Sequence, residues 1–554
     1  MEKIWLQSYP PGVPAEIDPS QCRTLKELIE RTCVEHAARP AFIQLGTELS
    51  YRQLDELSSA FAAWLQDAGF KKGDRIAIML PNTLQYPIAL FGALRAGLIV
   101  VNTNPLYTAP ELEYQLNDSG ATAVLVLENF AHVVQQVLPR TTVRRVLVTS
   151  VGEFLKFPKS LLVNYVVRRV RKQVPPWQLP QAVNFRAAVN AGRGLPRTAV
   201  DVNPDDLAFL QYTGGTTGVA KGAMLSHGNV STNVLQSAAW IGRAFDQPGV
   251  LLTAIPLYHI FALSGNCFMF ARLGWSNLLI LNPRDLPAML REMKAYPCNY
   301  ISGVNTLFNA MLHAPGFAEL DLSGLKVTLG GGMAVQAAVA ERWKQATGCV
   351  LTQAWGLTET SPAACINPNG IDFNGSIGLP ISSTEVAIKD DAGEDLEIDQ
   401  IGEICVRGPQ VMKGYWNRPD ETAKVMLPGG WLRTGDVGRM DAKGFVYIED
   451  RKKDMILVSG FNVYPNEVES AAVTHPGVLE AAAVAQPDQH SGEVVALFVV
   501  KKDPALTEKD VLEHVRKSLA GYKVPKHIYF RADLPKTNVG KIMRKSLRAE
   551  LVNS

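Results

Sequence analysis

Two patterns alternate along the first two-thirds of the chain. Short continuous apolar runs are separated by stretches in which apolar residues return every three or four positions. Leu54, Leu57, Phe61 and Leu65 keep this helical spacing. Ser50, with Gln53 three positions on, has the form of a capping box before them, and Gly69 supplies a stop. The apolar runs predict buried strands over 75–80, 121–127, 145–149, 207–212, 300–304 and 326–329. Continuously apolar strands alternating with helices predict an α/β architecture whose sheets are covered on both faces. After about residue 380 the pattern shifts to short strands and turns, over 385–389, 402–408 and 444–449. A small α+β tail follows, with strands over 480–485 and 494–500. Its helix is capped by Thr507 and Asp510 and buries Val511, Val515 and Leu519. A tail of roughly 100 residues is long enough to be its own domain.

Two segments bear on membranes. Residues 247–271 carry no charge. A spanning helix needs about 20 apolar residues, and here Pro248, Gly249, Pro256, His259, Ser264, Gly265 and Asn266 interrupt the run. A buried strand–loop–helix is expected instead. Residues 154–184 contain no acid and six bases: Lys156, Lys159, Arg168, Arg169, Arg171 and Lys172. Apolar and basic residues interleave, which suits an interfacial helix on an anionic membrane surface. A solvated helix followed by a Pro-rich linker is the plain alternative.

Composition narrows the function. With 55 Lys+Arg against 53 Asp+Glu, the net charge is +2, too small for a dedicated nucleic-acid binder. A hydrophobic content of 47% excludes a disordered chain, and 554 residues exceed one compact core. The seven cysteines are scattered without a CxxC pair, so neither a disulfide framework nor a zinc site is expected. The N-terminus lacks the apolar stretch of a signal peptide. The expectation is a cytoplasmic protein, peripheral on the inner face of the cytoplasmic membrane if 154–184 binds there.

The most distinctive local feature is Tyr212-Thr-Gly-Gly-Thr-Thr-Gly-Val-Ala-Lys221-Gly222, directly after an apolar run. Gly214, Gly215 and Gly218 let the backbone turn and aim amides inward; Thr213, Thr216 and Thr217 add hydroxyls and Lys221 adds charge. The set suits a polyphosphate. Its spacing is neither that of a Walker A loop nor that of a dinucleotide-binding fingerprint. Further motifs follow in order: Pro256-Leu-Tyr-His259, Gly330-Gly-Gly-Met333, Trp355-Gly-Leu-Thr-Glu359-Thr, Trp431-Leu-Arg-Thr-Gly-Asp436, Asp450-Arg-Lys-Lys-Asp454 and Pro535-Lys-Thr-Asn-Val-Gly-Lys541. Together they resemble the adenylate-forming superfamily of acyl-CoA synthetases, luciferases and peptide-synthetase adenylation domains. The block 430–469 most resembles bacterial long-chain fatty-acid–CoA ligases.

The resemblance implies an AMP-binding N-terminal domain over 1–450, with stacked α/β sheets and a small β-barrel-like subdomain, and a small mobile α+β domain over 451–554. It implies that a carboxylate attacks the α-phosphorus of ATP to give an acyl-adenylate, from which the thiol of CoA displaces AMP. Fatty acid, ATP and CoA would be the partners, Mg²⁺ the cofactor, and a homodimer follows by analogy. Glu359 would hold Mg²⁺ and Thr358 would donate to phosphate. Thr213, Gly214, Gly215, Thr216, Thr217, Gly218 and Lys221 would hold the phosphates. Gly331, Gly332, Met333, Trp355 and Gly356 would flank adenine, and Asp436 and Arg451 would bind the ribose. His259 would lie beside the acyl carboxylate. Lys541 would act in adenylation, Lys453 would be the hinge, and Ser459, Gly460 and Phe461 would form the CoA tunnel after rotation. Two positions depart from the pattern: Trp355 stands where Tyr is usual, which puts any polar role there in question, and Gly330 where long-chain relatives often have Ser. Phe261, Phe268, Phe270, Val304, Leu307 and Phe308 could line an acyl tunnel or equally be core. The rivals are a medium-chain or aryl acid–CoA ligase, a luciferase-like oxidase that uses the adenylate without CoA, a non-catalytic lipid-binding protein of the same fold, and a carrier-protein loading enzyme.

Overall fold

The computed structural model describes residues 2–213, 220–488 and 490–552. Two large sheets form its first 380 residues. One has seven strands in the order Val183–Asn184, Arg145–Thr149, Ala123–Leu127, Arg75–Met79, Ile99–Asn102, Leu207–Thr213 and Lys221–Ser226. All neighbours are parallel except the last pair. The other has nine strands and is parallel from Leu351–Gly356 through to Pro40–Gln44, with antiparallel pairs at both edges. Helices cover both, as the unbroken apolar runs require. Ser50 caps the helix Tyr51–Asp67 with both capping-box bonds formed, and Leu54, Phe61 and Leu65 are fully buried beneath it.

A third, antiparallel sheet of five strands follows residue 380, where the pattern turned to short strands. Beyond it a fourth sheet combines Ile456–Val458, Phe461–Val463, Val478–Asp488, Gly492–Lys501 and His527–Arg531. Its core is its own: Ile456, Val468, Leu497 and Val511 pack on one face, and Val484, Phe498 and Leu547 on the other. The last helix, Arg544–Val552, is held by ion pairs as well as by Leu547. Arg544 makes a forked bond to Glu469 (2.8 Å to each oxygen), and Arg548 reaches Asp454 at 2.7 Å.

The uncharged stretch is a buried strand, loop and helix as expected. Val250–Thr253 enters the nine-stranded sheet, and the helical run from Ile260 to Arg272 contains a π-helical turn at Leu263–Phe268. Asn266 in that turn accepts from the Ser302 hydroxyl at 2.9 Å, which settles a polar group inside the core. Among the described residues no helix is long and apolar enough to cross a membrane. All seven cysteines are buried and free, and such thiols pack as small apolar side chains.

Residues 159–170 are helical, with Lys159–Tyr165 continued by a π-helical Val166–Val170. The basic face is smaller than the sequence suggested. Arg168 is spent on Glu128 (2.9 and 3.0 Å), and the Lys159 ammonium donates to the Leu45 carbonyl. What stands out is apolar: Phe157 is 81% exposed, Leu161 64%, Leu162 62%, Tyr165 61% and Val170 63%.

Candidate active site

The hairpin of Leu207–Thr213 and Lys221–Ser226 sets Thr213 opposite Lys221 in register. Both line a cavity of about 1140 Å³. Gly214, Gly215, Thr216, Thr217 and Gly218 lie outside the described residues. The segment after Gly414 runs beside this hairpin: the Met224 amide donates to the Gly414 carbonyl and the Trp416 amide to that of Gly222. That pairing brings Tyr415 over the site. The Lys221 ammonium sits 4.8 Å from the Tyr415 ring centroid and bonds Glu421 at 2.6 Å. The Tyr415 hydroxyl donates to Glu359 Oε1 at 2.7 Å. Glu359 and Thr358 occupy the short turn Thr358–Thr360, pinned where the Met412 amide donates to the Glu359 carbonyl. One tyrosine therefore links the expected phosphate lysine to the expected metal carboxylate.

The nucleotide wall follows two parallel strand ends. Gly331 and Gly332 continue Val327–Gly330, and Trp355 and Gly356 close Leu351–Gly356; all four line the cavity. Gly332 has φ +79°, and a Cβ there would stand 3.3 Å from Lys541 Cε. A Cβ on Gly330 would lie 2.6 Å from Val335 Cγ2, so a serine there would require Val335 to shift. Met333 is not part of the cavity wall. Trp355 regains the polar role that its departure from tyrosine put in question: its indole N–H donates to Asp436 Oδ2 at 2.9 Å. Asp436 lies opposite Arg451 on the neighbouring strand, with Oδ1 3.1 Å from Arg451 Nε. Its carboxylate is buried just beneath the wall, and among the described residues Oδ1 has no hydrogen-bond donor of proper geometry. A ribose hydroxyl is the kind of donor it lacks.

Lys541 reaches the same cavity from the tail. It closes a turn in which the Thr537 amide donates to the Lys541 carbonyl at 2.7 Å. Surrounding protein, and then the Arg451 guanidinium, push its ammonium down to about 8, against the pull of Asp436 and Glu359. Burial, and then the charge of Lys541, push the His259 imidazolium down to about 3. His259 Nδ1 accepts from the Phe261 amide at 3.3 Å, which leaves the proton of the neutral ring on Nε2. Ile241, Met269, Tyr300 and Ile366 also line the cavity. Of the residues that could line a tunnel or equally be core, Phe261 lines the cavity, whereas Phe268, Phe270 and Phe308 are fully buried in the core.

Lys453 also lines the cavity and is exposed; its carbonyl accepts from Arg548 at 3.3 Å. Ser459, Gly460 and Phe461 stand away from the cavity on the hairpin of Ile456–Val458 and Phe461–Val463. Phe461 is 59% exposed and packs on Tyr522. Sequence reasoning missed Tyr415, Arg418 and Glu421, which all line the cavity. The only signal was an aromatic and charged cluster, Gly414 to Glu421, between two strands of the third sheet. The cavity wall thus carries the cations Lys221 and Arg418, paired with Glu421 and Asp118, the cations Arg451 and Lys541, and the apolar side chains of Ile241, Met269 and Ile366. That arrangement fits a polyanion meeting a carboxylic acid with an apolar tail.

Known proteins resemble the chain over its full length. Residues 29–416 match the family described as "AMP-binding enzyme", and residues 467–541 match "AMP-binding enzyme C-terminal domain". The long-chain-fatty-acid–CoA ligase of Escherichia coli O157:H7 is 53% identical over 99% of this chain and 98% of its own. That of Haemophilus influenzae is 50% identical over 99% of each chain. Among solved structures, an anthranilate CoA ligase in complex with anthranoyl-AMP shares the fold, with a TM-score of 0.86 and 24% identity over 97% of this chain and 99% of that one.

Proposed function

The chain belongs to the AMP-binding enzyme family, and we propose that it is an AMP-forming long-chain fatty-acid–CoA ligase. The observation that carries this reading is that Lys221, Glu359 and Lys541 line one cavity together with the apolar Ile241, Met269 and Ile366. An oxygen of the fatty-acid carboxylate attacks the α-phosphorus of ATP; the bond to the β-phosphate oxygen breaks, and diphosphate leaves. The thiolate of CoA then attacks the acyl carbonyl, and AMP leaves. Both reactants of the first step are anions, so cations placed beforehand supply much of the catalysis. His259, neutral with its proton on Nε2, can donate to the carboxylate without adding charge.

Glu359 is a fit ligand for Mg²⁺ shared with phosphate. Mg²⁺ commonly takes one or two carboxylates plus phosphate oxygens. Among the described residues there is no cluster of three metal-ligating side chains, so the protein alone would not cage the ion. When bound, the ion offsets polyphosphate charge, while the Tyr415 hydroxyl holds the Glu359 carboxylate in place. Between the two steps, the domain over 451–554 turns about Lys453 and brings Ser459, Gly460 and Phe461 to the cavity. A hinge must change its torsions with its side chain in solvent, and Lys453 is exposed.

The test is thioester formation by the purified protein with ATP, Mg²⁺, CoA and acids of increasing length. Each methylene buried against apolar side chains adds about 0.8 kcal/mol, so kcat/KM is expected to rise about fourfold per methylene until the tunnel fills. Preference for aryl or medium-chain acids would replace this reading with that rival, and a product formed without CoA would favour the oxidase.

Membrane contact through 154–184 is a further part of the proposal. It is supported by the exposed Phe157, Leu161, Leu162, Tyr165 and Val170 beside the exposed Lys156, Arg169, Arg171 and Lys172. Replacing Phe157, Leu161 and Leu162 with Ser is expected to abolish flotation with anionic liposomes. Replacing Lys156, Arg169, Arg171 and Lys172 should weaken flotation in a salt-dependent way. Arg168 and Lys159 are left intact because they anchor the segment. Undiminished flotation of both variants would exclude this face.

A further inference from the structure

Thr306 stands in the first turn of the helix Asn305–His313, and its hydroxyl donates to the carbonyl of Gly540 at 3.1 Å. That carbonyl and the amide of Lys541 belong to one rigid peptide plane. On the plane's other edge, the Lys541 amide donates to Thr537 Oγ1 at 3.1 Å. The peptide that introduces Lys541 is thus held from inside by its own turn and from outside by a side chain of the large N-terminal part. The approach is close. Gly540 has φ +83°, and a Cβ there would lie 2.9 Å from Thr306 Oγ1 and 3.0 Å from Val304 Cγ2.

Thr306 is itself tied to the nucleotide wall. Its neighbour Asn305 exchanges two bonds of 3.0 Å with Gln336, on the segment that follows Gly330, Gly331 and Gly332. One turn along, Asn309 reaches the Leu479 carbonyl at 3.4 Å, a weak bond at the edge of the same contact. The distance from the wall to the Lys541 backbone therefore runs through one hydroxyl.

We propose that Thr306 is a positioning residue for Lys541, which docks the 540–541 peptide while the tail sits in this orientation and lets it go when the tail turns. This rests on the reading that Lys541 serves adenylation. The contact is a neutral hydrogen bond, strong enough to fix a side chain and weak enough to break on every turnover.

The experiment measures both half-reactions on the full-length enzyme for Thr306→Val, Thr306→Ser, Lys541→Ala and the Thr306→Val/Lys541→Ala double variant. Valine keeps the shape and removes the hydroxyl. Thr306→Val is expected to lower acyl-adenylate formation about three- to tenfold, the value of one such bond, and to leave thioester formation from pre-made acyl-adenylate unchanged. Thr306→Ser should restore most of the loss. On the Lys541→Ala background the valine should add nothing, because the two act as one unit. Equal loss in both half-reactions, an effect that multiplies with that of Lys541→Ala, or no effect on adenylation would each overturn the proposal. Failure of the underlying reading shows separately: Lys541→Ala alone would then damage both half-reactions alike.

Discussion

Replacing Lys541 with Ala is expected to lower acyl-adenylate formation by about 10²-fold or more, the effect of losing a preorganised donor to a developing charge. Thioester formation from pre-made acyl-adenylate should be spared, because in the proposed cycle the tail turns before CoA attacks and carries Lys541 out of the cavity. The position supports the asymmetry: Lys541 lines the cavity beside Gly332 and enters from the tail, not from the sheet platform. The pH profile tests the same assignment. Only the ammonium can offset the anions, and in the free enzyme it is held down to about 8. The active form is complete below that value and is lost as pH rises through it, so kcat/KM for adenylation should fall above about pH 8. Bound polyphosphate favours the cation, which places the corresponding limb of kcat at higher pH. His259 contributes no limb near neutrality, since it is already neutral above about 3. Equal damage to both half-reactions, or an alkaline limb that persists unchanged in the residual activity of Lys541→Ala, would remove Lys541 from this role.

What the sequence made legible is what depends on neighbours in the chain. The cap at Ser50, the strand before the phosphate loop and the interrupted uncharged run are local patterns, and each formed the expected element. The site was legible only where a motif concentrates its chemistry in a few adjacent residues. Contacts between distant segments were not. The Tyr415 hydroxyl meets Glu359 across 56 positions, and the Trp355 indole meets Asp436 across 81. Neither pairing leaves a spacing that could be read in advance, because sheet register creates it: Asp436 lies beside Arg451 through a strand pairing, and Tyr415 beside Lys221 through a loop alongside a hairpin. The basic segment 154–184 shows the converse error. Charge counting treated all six bases as free, whereas Arg168 and Lys159 hold the helix to the fold. The choice between acyl tunnel and core stayed open in the sequence for a related reason. Apolar residues of one run point both into the core and into the cavity, and only the backbone geometry separates Phe261 from Phe268 and Phe270.

Asp436→Ala is expected to differ from the lysine variant in kind. The AMP moiety stays on the enzyme through both chemical steps, so a residue that holds it is needed in both. Asp436 Oδ1 is buried and ion-paired with Arg451 Nε at 3.1 Å, with no hydrogen bond of proper geometry among the described residues, and Oδ2 accepts from Trp355. A hydrogen bond to a charged group contributes about 1.5–3 kcal/mol, so one such bond from ribose makes the expected loss about 10- to 150-fold in each half-reaction. Truncation also leaves the Trp355 indole N–H without its acceptor and Arg451 without its counter-ion. The Arg451 side chain is 43% exposed, so water takes over much of the second debt. Asp436→Asn separates the contributions: its amide oxygen can still accept from Trp355, but the charge that draws the ribose hydroxyl and Arg451 is gone. Its loss should therefore be smaller, about tenfold, and fall equally on both steps. The measurement is the rate of each half-reaction with affinity for AMP determined alongside. A defect confined to adenylation, with AMP bound as tightly as before, would show that Asp436 supports the wall without touching the nucleotide.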